Sequence, residues 1–309
     1  MQKDLCVVLM TSYNHEKYIR ESIESVINQT YKNLKLVIVD DFSTDDSRKI
    51  IKEYAAKYPN KIFYIFNEIN MHVNRSFNRG LEFIKEKFDP EFFACIASDD
   101  IFEKDKIEKQ IDFLKKYDLD GVSSKGKYIN EKSKILAPIE MDNLFNKNLY
   151  AIEDIEKIKN FYYMDIVGGP LIQSMVFKFP VIYRLKMDLT SISDDYSLML
   201  RFFNNGYKLG YLNEFLWRYR RHDTNVSKNY DYIFVVLDVI YKYIPKKYRN
   251  VAIFKQFFIT GIYKIFIHDQ KADGIRFIWM SLAYLNLDGI KFIGKKFFGG
   301  IKFILRSKK

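Results

Sequence analysis

Residues 91–100 read EFFACIASDD. Seven mostly apolar residues run straight into two adjacent carboxylates, Asp99 and Asp100. A short apolar run without polar alternation is the pattern of a strand covered on both faces, as in a parallel sheet. Neighbouring anions repel each other and add nothing to a core. Open α/β sheets hold their ligands at the carboxyl ends of parallel strands, so the pair is read as waiting for a cation.

The same pattern recurs upstream. LCVVLMT (5–11) reads as a buried strand, residues 16–29 as a helix with Ile19, Ile23, Val26 and Ile27 on one face, and LKLVIVDD (34–41) as a second strand. STDDSRKIIKEYAAKY (43–58) opens with cap residues and reads as a helix. KIFYIF (61–66) is a third strand and residues 74–88 a third helix; after 91–100 comes a fourth helix at 104–117, with Ile107, Ile111 and Leu114 on one stripe. Four strand–helix alternations predict an α/β fold, a mostly parallel central sheet flanked by helices on both faces. Further on, 120–129 reads as another strand, 129–150 as irregular, 153–163 and DDYSLMLRFF (194–203) as helices, and the chain beyond Asn229 as mostly helical. Six prolines and 13 glycines in 309 residues argue against a disordered or all-β chain. Cys6 and Cys95 both fall in strand-like runs and read as reduced core residues. The start, MQKDLCVVLMT, reads as a first strand rather than a signal peptide.

Polar residues cluster just past the strands: Thr11, Tyr13 and Asn14 after the first, Asp40 and Asp41 after the second, Asp99 and Asp100 after the fourth. Turns also favour Asp, but three coincident sites, two of them acidic pairs, favour a ligand. TSYNHE (11–16) contains no glycine, which excludes a G-x-G-x-x-G dinucleotide loop, and no Walker A run is present. A carboxylate can still hold a diphosphate through Mn2+ or Mg2+, which accept oxygen ligands from protein, phosphate and water together.

VVLMTSYNHEKYIRESIESVINQTYKNLKLVIVDDFSTDDS (7–47), followed by ASDD (97–100), resembles family 2 glycosyltransferases of the GT-A nucleotide-diphospho-sugar transferase fold. The resemblance covers residues 4–125 strongly and continues more thinly to about residue 227. It implies that Thr11, Tyr13 and Asn14 line the nucleotide-sugar pocket and that Asp41 contacts the base, normally uracil. It places Asp99 towards the ribose or donor sugar and Asp100 on the metal, Mn2+ or Mg2+. In SISDDYSLMLRFF (191–203) Asp195 matches the catalytic base, although Asp is also favourable at a helix start on its own account. Within WRYRRHDTNVS (217–227), Tyr219, Arg220, His222, Asn225 and Ser227 resemble a run found in many non-processive members. His222 is expected at the leaving diphosphate or in the metal shell, and Arg220 or Arg221 on the diphosphate. No Q-x-x-R-W run is present, which favours transfer of a single sugar. Phe42 stands where the family usually has Gly or Asn, and Met71 and Phe77 where Gly and Arg are common.

Charge is concentrated at the end of the chain. Residues 251–309 carry eleven Lys/Arg and three Asp/Glu, so +8 of the net +11. In IKFIGKKFFGGIKFILRSKK (290–309), Ile290, Ile293, Phe297, Ile301, Ile304 and Leu305 would share one helical face flanked by cations. That is the pattern of a helix in a membrane interface, the alternative being a core-packed terminal helix with a solvated basic edge. No apolar run reaches spanning length, and no nucleic-acid recognition motif is present. The expected organisation is a glycosyltransferase domain at 1–228, with a nucleotide-sugar-binding half (1–125) and an acceptor-binding half (126–228), then a basic amphipathic membrane-associating region at 229–309. By family analogy the expectation is an inverting enzyme moving one hexose, glucose or galactose in β linkage, from a UDP-sugar. The acceptor would be a lipid-diphosphate-linked saccharide of the undecaprenyl GlcNAc or GalNAc type, in O-antigen or capsule assembly on the cytoplasmic face of the inner membrane. Two rival expectations are a non-catalytic UDP-sugar-binding scaffold and a nucleotidyltransferase.

Overall fold

The continuous apolar runs form four parallel strands: β1 (Gln2–Ser12), β2 (Leu34–Asp40), β3 (Ile62–Phe66) and β4 (Pro90–Ala97). The structure is a computed structural model and describes residues 1–136, 155–164, 172–191, 194–222, 232–266 and 270–290. Between the strands lie α1 (Ile19–Ile27), α2 (Ser47–Lys57) and α3 (Val73–Lys87), and α4 (Lys106–Lys116) follows the fourth. The remaining described elements are β5 (Ile101–Phe102), β6 (Gly121–Ile129), α5 (Ile155–Met164), β7 (Val176–Lys178), α6 (Phe179–Leu185), α7 (Asp194–Asn204) and β8 (Leu209–Arg220), then α8 (Tyr232–Tyr243), α9 (Lys246–Phe266) and α10 (Lys271–Leu282). The sheet order is β3-β2-β1-β4-β7-β6-β8-β5, with β4–β7, β7–β6 and β5–β8 antiparallel.

Cover on both faces explains why the centres of β1 (Leu5–Met10) and β2 (Leu36–Val39) are apolar without a break. Cys6, Val8, Met10, Leu36 and Ile38 bury one face with Ile19, Ile23, Val26, Ile50 and Ile51 of α1 and α2 and with Ile107 and Ile111 of α4. The other face carries α3, which approaches closely at Gly80. A Cβ there would lie 2.4 Å from Leu9 Cδ1, so any larger residue would push the buried Leu9 side chain aside. Each buried Leu, Ile or Val contributes about 1.5–3 kcal/mol of transfer free energy.

The chain runs β1, β2, β3 to one side and then crosses to β4 on the other side of β1. The crevice of an open α/β sheet forms at such a reversal, here above the ends of β1 and β4. Register places Thr11 beside both Val39 and Ala97. The fourth strand stops at Ala97, three residues short of the sequence expectation, because Ser98 and Asp99 turn and the Asp100 N–H donates back to Ala97 O at 3.1 Å. β5 resumes at once and pairs with β8, Ile101 against Arg218 and Phe102 against Trp217. Two further steps of that antiparallel register set Arg220 against Asp99.

The chain divides into two compact units. The first takes Met1–Ile158, Pro170–Thr190 and Arg201–Val226, and the second Lys159–Gly169, Ser191–Leu200 and Ser227–Lys309. In the second, α8, α9 and α10 bury Val236, Val239, Ile240, Phe254 and Phe257. Among the described residues no helix is long and apolar enough to cross a membrane.

Candidate active site

Two loops are laced together above the ends of β1 and β2. Asn14 adopts a left-handed φ of 53°, which Asn tolerates because its side chain bonds locally. Its N–H donates to Ser43 Oγ at 2.9 Å, and its Oδ1 accepts the Thr44 N–H at 2.8 Å. The His15 N–H donates to Ser47 Oγ at 3.1 Å, and the Glu16 N–H to Asp45 Oδ2 at 2.9 Å. Asn14 therefore holds the loop that presents Thr11, half-buried, and Tyr13, exposed.

The Asp40–Asp41 corner is saturated on its inner side. Asp40 is fully buried, accepting from Ser43 N–H (3.0 Å), Ser43 Oγ–H (2.5 Å) and Arg48 Nε–H (2.6 Å). Asp41 Oδ1 accepts from Asn67 Nδ2–H and Met71 N–H, both at 2.8 Å. Between this corner and α2, Phe42 sits at φ 69°, a left-handed conformation that costs a bulky residue about 1–2 kcal/mol. Gly or Asn would adopt this conformation at less cost. The Arg48 guanidinium lies over the Phe42 ring at 5.4 Å. In the later loop the left-handed residue is His72, at φ 65°, one position beyond Met71. Phe77 is buried against Phe93, ring centroids 5.8 Å apart, so it fills core where an arginine would reach outward.

The Asp99–Asp100 corner is arranged differently. Asp100, expected on the metal, is 1% exposed. Its Oδ1 accepts the Arg220 N–H at 2.9 Å and its Oδ2 the Gln173 Nε2–H at 3.2 Å. Burial, and then the neighbouring Asp99 charge, raises its pKa well above the usual carboxylate range. Asp99 faces two imidazoles instead. His222 Nε2 lies 2.9 Å from Asp99 Oδ2, and His15 Nδ1 lies 4.0 Å from Asp99 Oδ1. That Oδ1 is buried and has no hydrogen-bond partner. The carboxylate oxygen without a hydrogen-bond partner thus belongs to Asp99, whereas both Asp100 oxygens accept bonds that fasten β8 and Gln173 to this corner.

Arg220 is 1% exposed, and its Nε–H donates to Asp99 O (2.7 Å). One terminal nitrogen donates to Asn130 O (3.1 Å) and Ser133 Oγ (3.0 Å), the other to Glu21 Oε2 (2.6 Å). A guanidinium so committed clamps the loop from a fully buried position. Arg221 makes no side-chain hydrogen bond among the described residues and lies 3.9 Å above the Tyr128 ring. His222 stacks on Tyr18 (5.3 Å, 25°), which the Arg220 guanidinium covers from 4.8 Å. His15 was not singled out from the sequence. Its only signal was its place in the loop after β1, and burial lowers its pKa, favouring the neutral imidazole. Asp195 sits half-buried in the first turn of α7, within the second unit. Asn225 and Ser227 lie outside the described residues.

The model of the family described as "Glycosyl transferase family 2" matches residues 7–184, more than half of the chain. The chain belongs to that family. This glycosyltransferase is 31% identical over 276 residues to an uncharacterized glycosyltransferase of Methanocaldococcus jannaschii, covering 86% of this chain and 90% of the relative. Among solved structures, S. aureus TarS residues 1–349 with UDP-GlcNAc superpose with a TM-score of 0.63 at 15% identity, over 91% of this chain and 82% of that one. The Pyrobaculum calidifontis mannosyltransferase PcManGT with GDP-Man and Mn2+ gives 0.62 at 13% identity, over 94% and 78%. At such identities the likeness establishes the fold, and it is the GT-A fold of glycosyltransferases.

Proposed function

We propose that this glycosyltransferase moves a single hexose from a UDP-sugar to a hydroxyl of a lipid-diphosphate-linked saccharide, with inversion at the anomeric carbon. The observation that carries the reading is the unpartnered Asp99 Oδ1 at the β1–β4 crevice, beside His222. A buried carboxylate oxygen without a donor is rare and costly, and an oxygen–imidazole donor set fits a divalent cation such as Mn2+. Asp99 and His222 would hold it, with Asp99 taking the role expected of Asp100. A bound ion there supplies positive charge where the diphosphate leaves.

The protein's own groups divide the remaining work. Asp41, fixed by Asn67 and Met71, accepts from the base, while Thr11 and Tyr13 line the nucleotide pocket held in place by Asn14. Arg221 replaces Arg220 as the diphosphate contact. Asp195 takes the proton from the acceptor hydroxyl as it attacks the anomeric carbon from the face opposite UDP. Glucose or galactose in β linkage onto a GlcNAc or GalNAc primer, as in O-antigen or capsule assembly, is the donor and acceptor pair that family analogy favours. TarS bound to UDP-GlcNAc and PcManGT bound to GDP-Man support a nucleotide-sugar donor.

The acceptor implies the cytoplasmic face of the inner membrane. Support comes from α10 and the residues after it, where Ile275, Trp279 (70% exposed), Leu282, Leu287 and Ile290 are exposed. The basic run that follows, residues 291–309, lies outside the described residues. It carries seven cations and no anion, each attracted to an anionic leaflet by about 1 kcal/mol.

The test is a screen of UDP-sugars with short lipid-diphosphate acceptors, scoring metal-dependent UDP release alongside Asp195→Asn. The expected outcome is release with one donor and its loss in the variant, while UDP still binds. Full turnover by the variant removes the base assignment. Anionic vesicle flotation of the chain cut before residue 290 tests the membrane reading, which fails if flotation is unchanged.

A further inference from the structure

We infer that His15 is a third protein ligand of the divalent ion, so that this chain takes up a transition metal before the nucleotide arrives and discriminates against Mg2+. The inference rests on the metal reading above, in which Asp99 and His222 are the ligands. Four observations in the first unit carry it.

One ring nitrogen from each histidine and one Asp99 oxygen lie within 4.8 Å of one another, the only such cluster of three among the described residues. The oxygen that has no hydrogen-bond partner is the one facing His15, at 4.0 Å. Both rings are held in place. His222 stacks on Tyr18, which is backed by Arg220, while the His15 backbone is tied to Ser47 and its Nδ1 lies 2.8 Å from Ser98 Oγ. The two imidazoles meet edge to face, centroids 5.7 Å apart, so their nitrogens converge on the carboxylate instead of stacking past it.

Charge points the same way. Asp99 and Asp100 are adjacent and buried, and the nearest guanidinium, Arg220, already pairs with Glu21 and three main-chain carbonyls. With Arg220 so engaged, the Asp99 carboxylate is left to the two imidazoles and to a cation that enters beside them. A hydrogen-bonded His–Ser–Asp cluster without metal would satisfy His15 through Ser98, but would leave Asp99 Oδ1 orphaned.

The donor set decides which ion. Mg2+ prefers oxygen ligands, keeps its waters, and usually binds through one or two carboxylates plus substrate phosphates. Two imidazoles and one carboxylate suit the later divalent ions, with affinity rising from Mn2+ to Co2+. Three protein ligands also make a site that needs no phosphate to assemble.

The experiment is titration of the full chain with Mn2+ alone, without nucleotide, by the free-ion electron paramagnetic resonance signal. Mg2+ serves as competitor, and Co2+ is titrated in parallel. His15→Ala, His222→Ala and Asp99→Asn are compared with the unsubstituted protein. His15→Asn, whose amide can keep the Ser98 contact, is the second variant should the alanine form fail to fold. The expected result is one Mn2+ site in the unsubstituted chain, tighter for Co2+. The His15 substitution should weaken it by about tenfold or more and erode the Mn2+/Mg2+ preference. If the His15 variants bind Mn2+ as tightly and selectively as the parent while His222→Ala and Asp99→Asn lose it, His15 is not a ligand and the two-ligand reading stands. If the parent binds Mn2+ only once UDP is added, and does so through Asp99, the inference falls and the proposed function survives. Absence of Asp99-dependent binding under either condition overturns both.

Discussion

The corners at the ends of β2 and β4 read alike in the sequence, two aspartates closing an apolar strand, yet they differ in how their charge is met. At Asp40–Asp41 both members are buried: Asp40 is held by Ser43 and Arg48, and the Oδ1 of Asp41 is filled by Asn67 and Met71. At Asp99–Asp100, also both buried, Asp100 fastens β8 to the turn, and Asp99 is left with an oxygen that has no hydrogen-bond donor. In each pair one carboxylate builds the corner and the other faces the crevice, but the order is reversed. A doubled acid thus says that a strand tip is special without saying which member acts.

The largest effect that would separate the corners is on turnover. Asp99→Ala should lower transfer by about a thousandfold, the scale of removing a preorganised charge contact, with the melting temperature little changed. Asp40→Ala should instead destabilise the fold by about 3 kcal/mol, since it strands the Arg48 charge. Steady-state kinetics and urea unfolding of the pair measure both; matching phenotypes would erase the distinction. The two arginines offer the next contrast. Arg220→Ala should cost about 3 kcal/mol of stability by stripping donors from Glu21 and from Asp99 and Asn130 main-chain oxygens. Arg221→Ala should leave unfolding unchanged and raise KM for the donor.

Lys106 sharpens the point, because it is a buried cation that serves neither corner. Its amine bonds Gln110 and lies 4.5 Å from the Phe102 ring, and burial pulls its pKa down to about 7. Unfolded, the same amine titrates near 10.5. Between those values the unfolded chain binds the extra proton, so this group makes stability rise with pH from about 7 towards 10. Lys106→Met should therefore stabilise by about 2 kcal/mol at pH 7 and below, with the gain shrinking at pH 9.5. Parallel thermal melts test this, and a pH-independent gain would refute it. The smallest effect lies at Phe42. Asn there relieves the left-handed strain at the loss of the Arg48 contact, for a net gain of about 0.5–1 kcal/mol in urea unfolding.

Most of the parallel half was legible because burial on both faces leaves a signature in consecutive residues: 5–11, 34–41 and 91–97 admit few readings other than covered strands. β8 was not legible. Its twelve residues mix Asn, Glu and Arg with Trp and Leu, and its pairing partners are β6 and β5, which lie 80 or more residues away in sequence. The site followed the same division. Strand-tip polar residues could be found locally, whereas the meeting of His222 with Asp99 depends on the β5–β8 register. His15 escaped notice because a histidine in a surface loop has no periodicity to mark it.

The sequence by itself determined that this is a family 2 glycosyltransferase chain with a parallel sheet and acids at its strand tips, since those features are written in runs of neighbouring residues. Only the tertiary structure decided which acid keeps an oxygen without a hydrogen-bond partner, which arginine is buried and which histidines converge. Those outcomes depend on hydrogen bonds between residues about a hundred positions apart, and a donor given to one carboxylate is denied to the next.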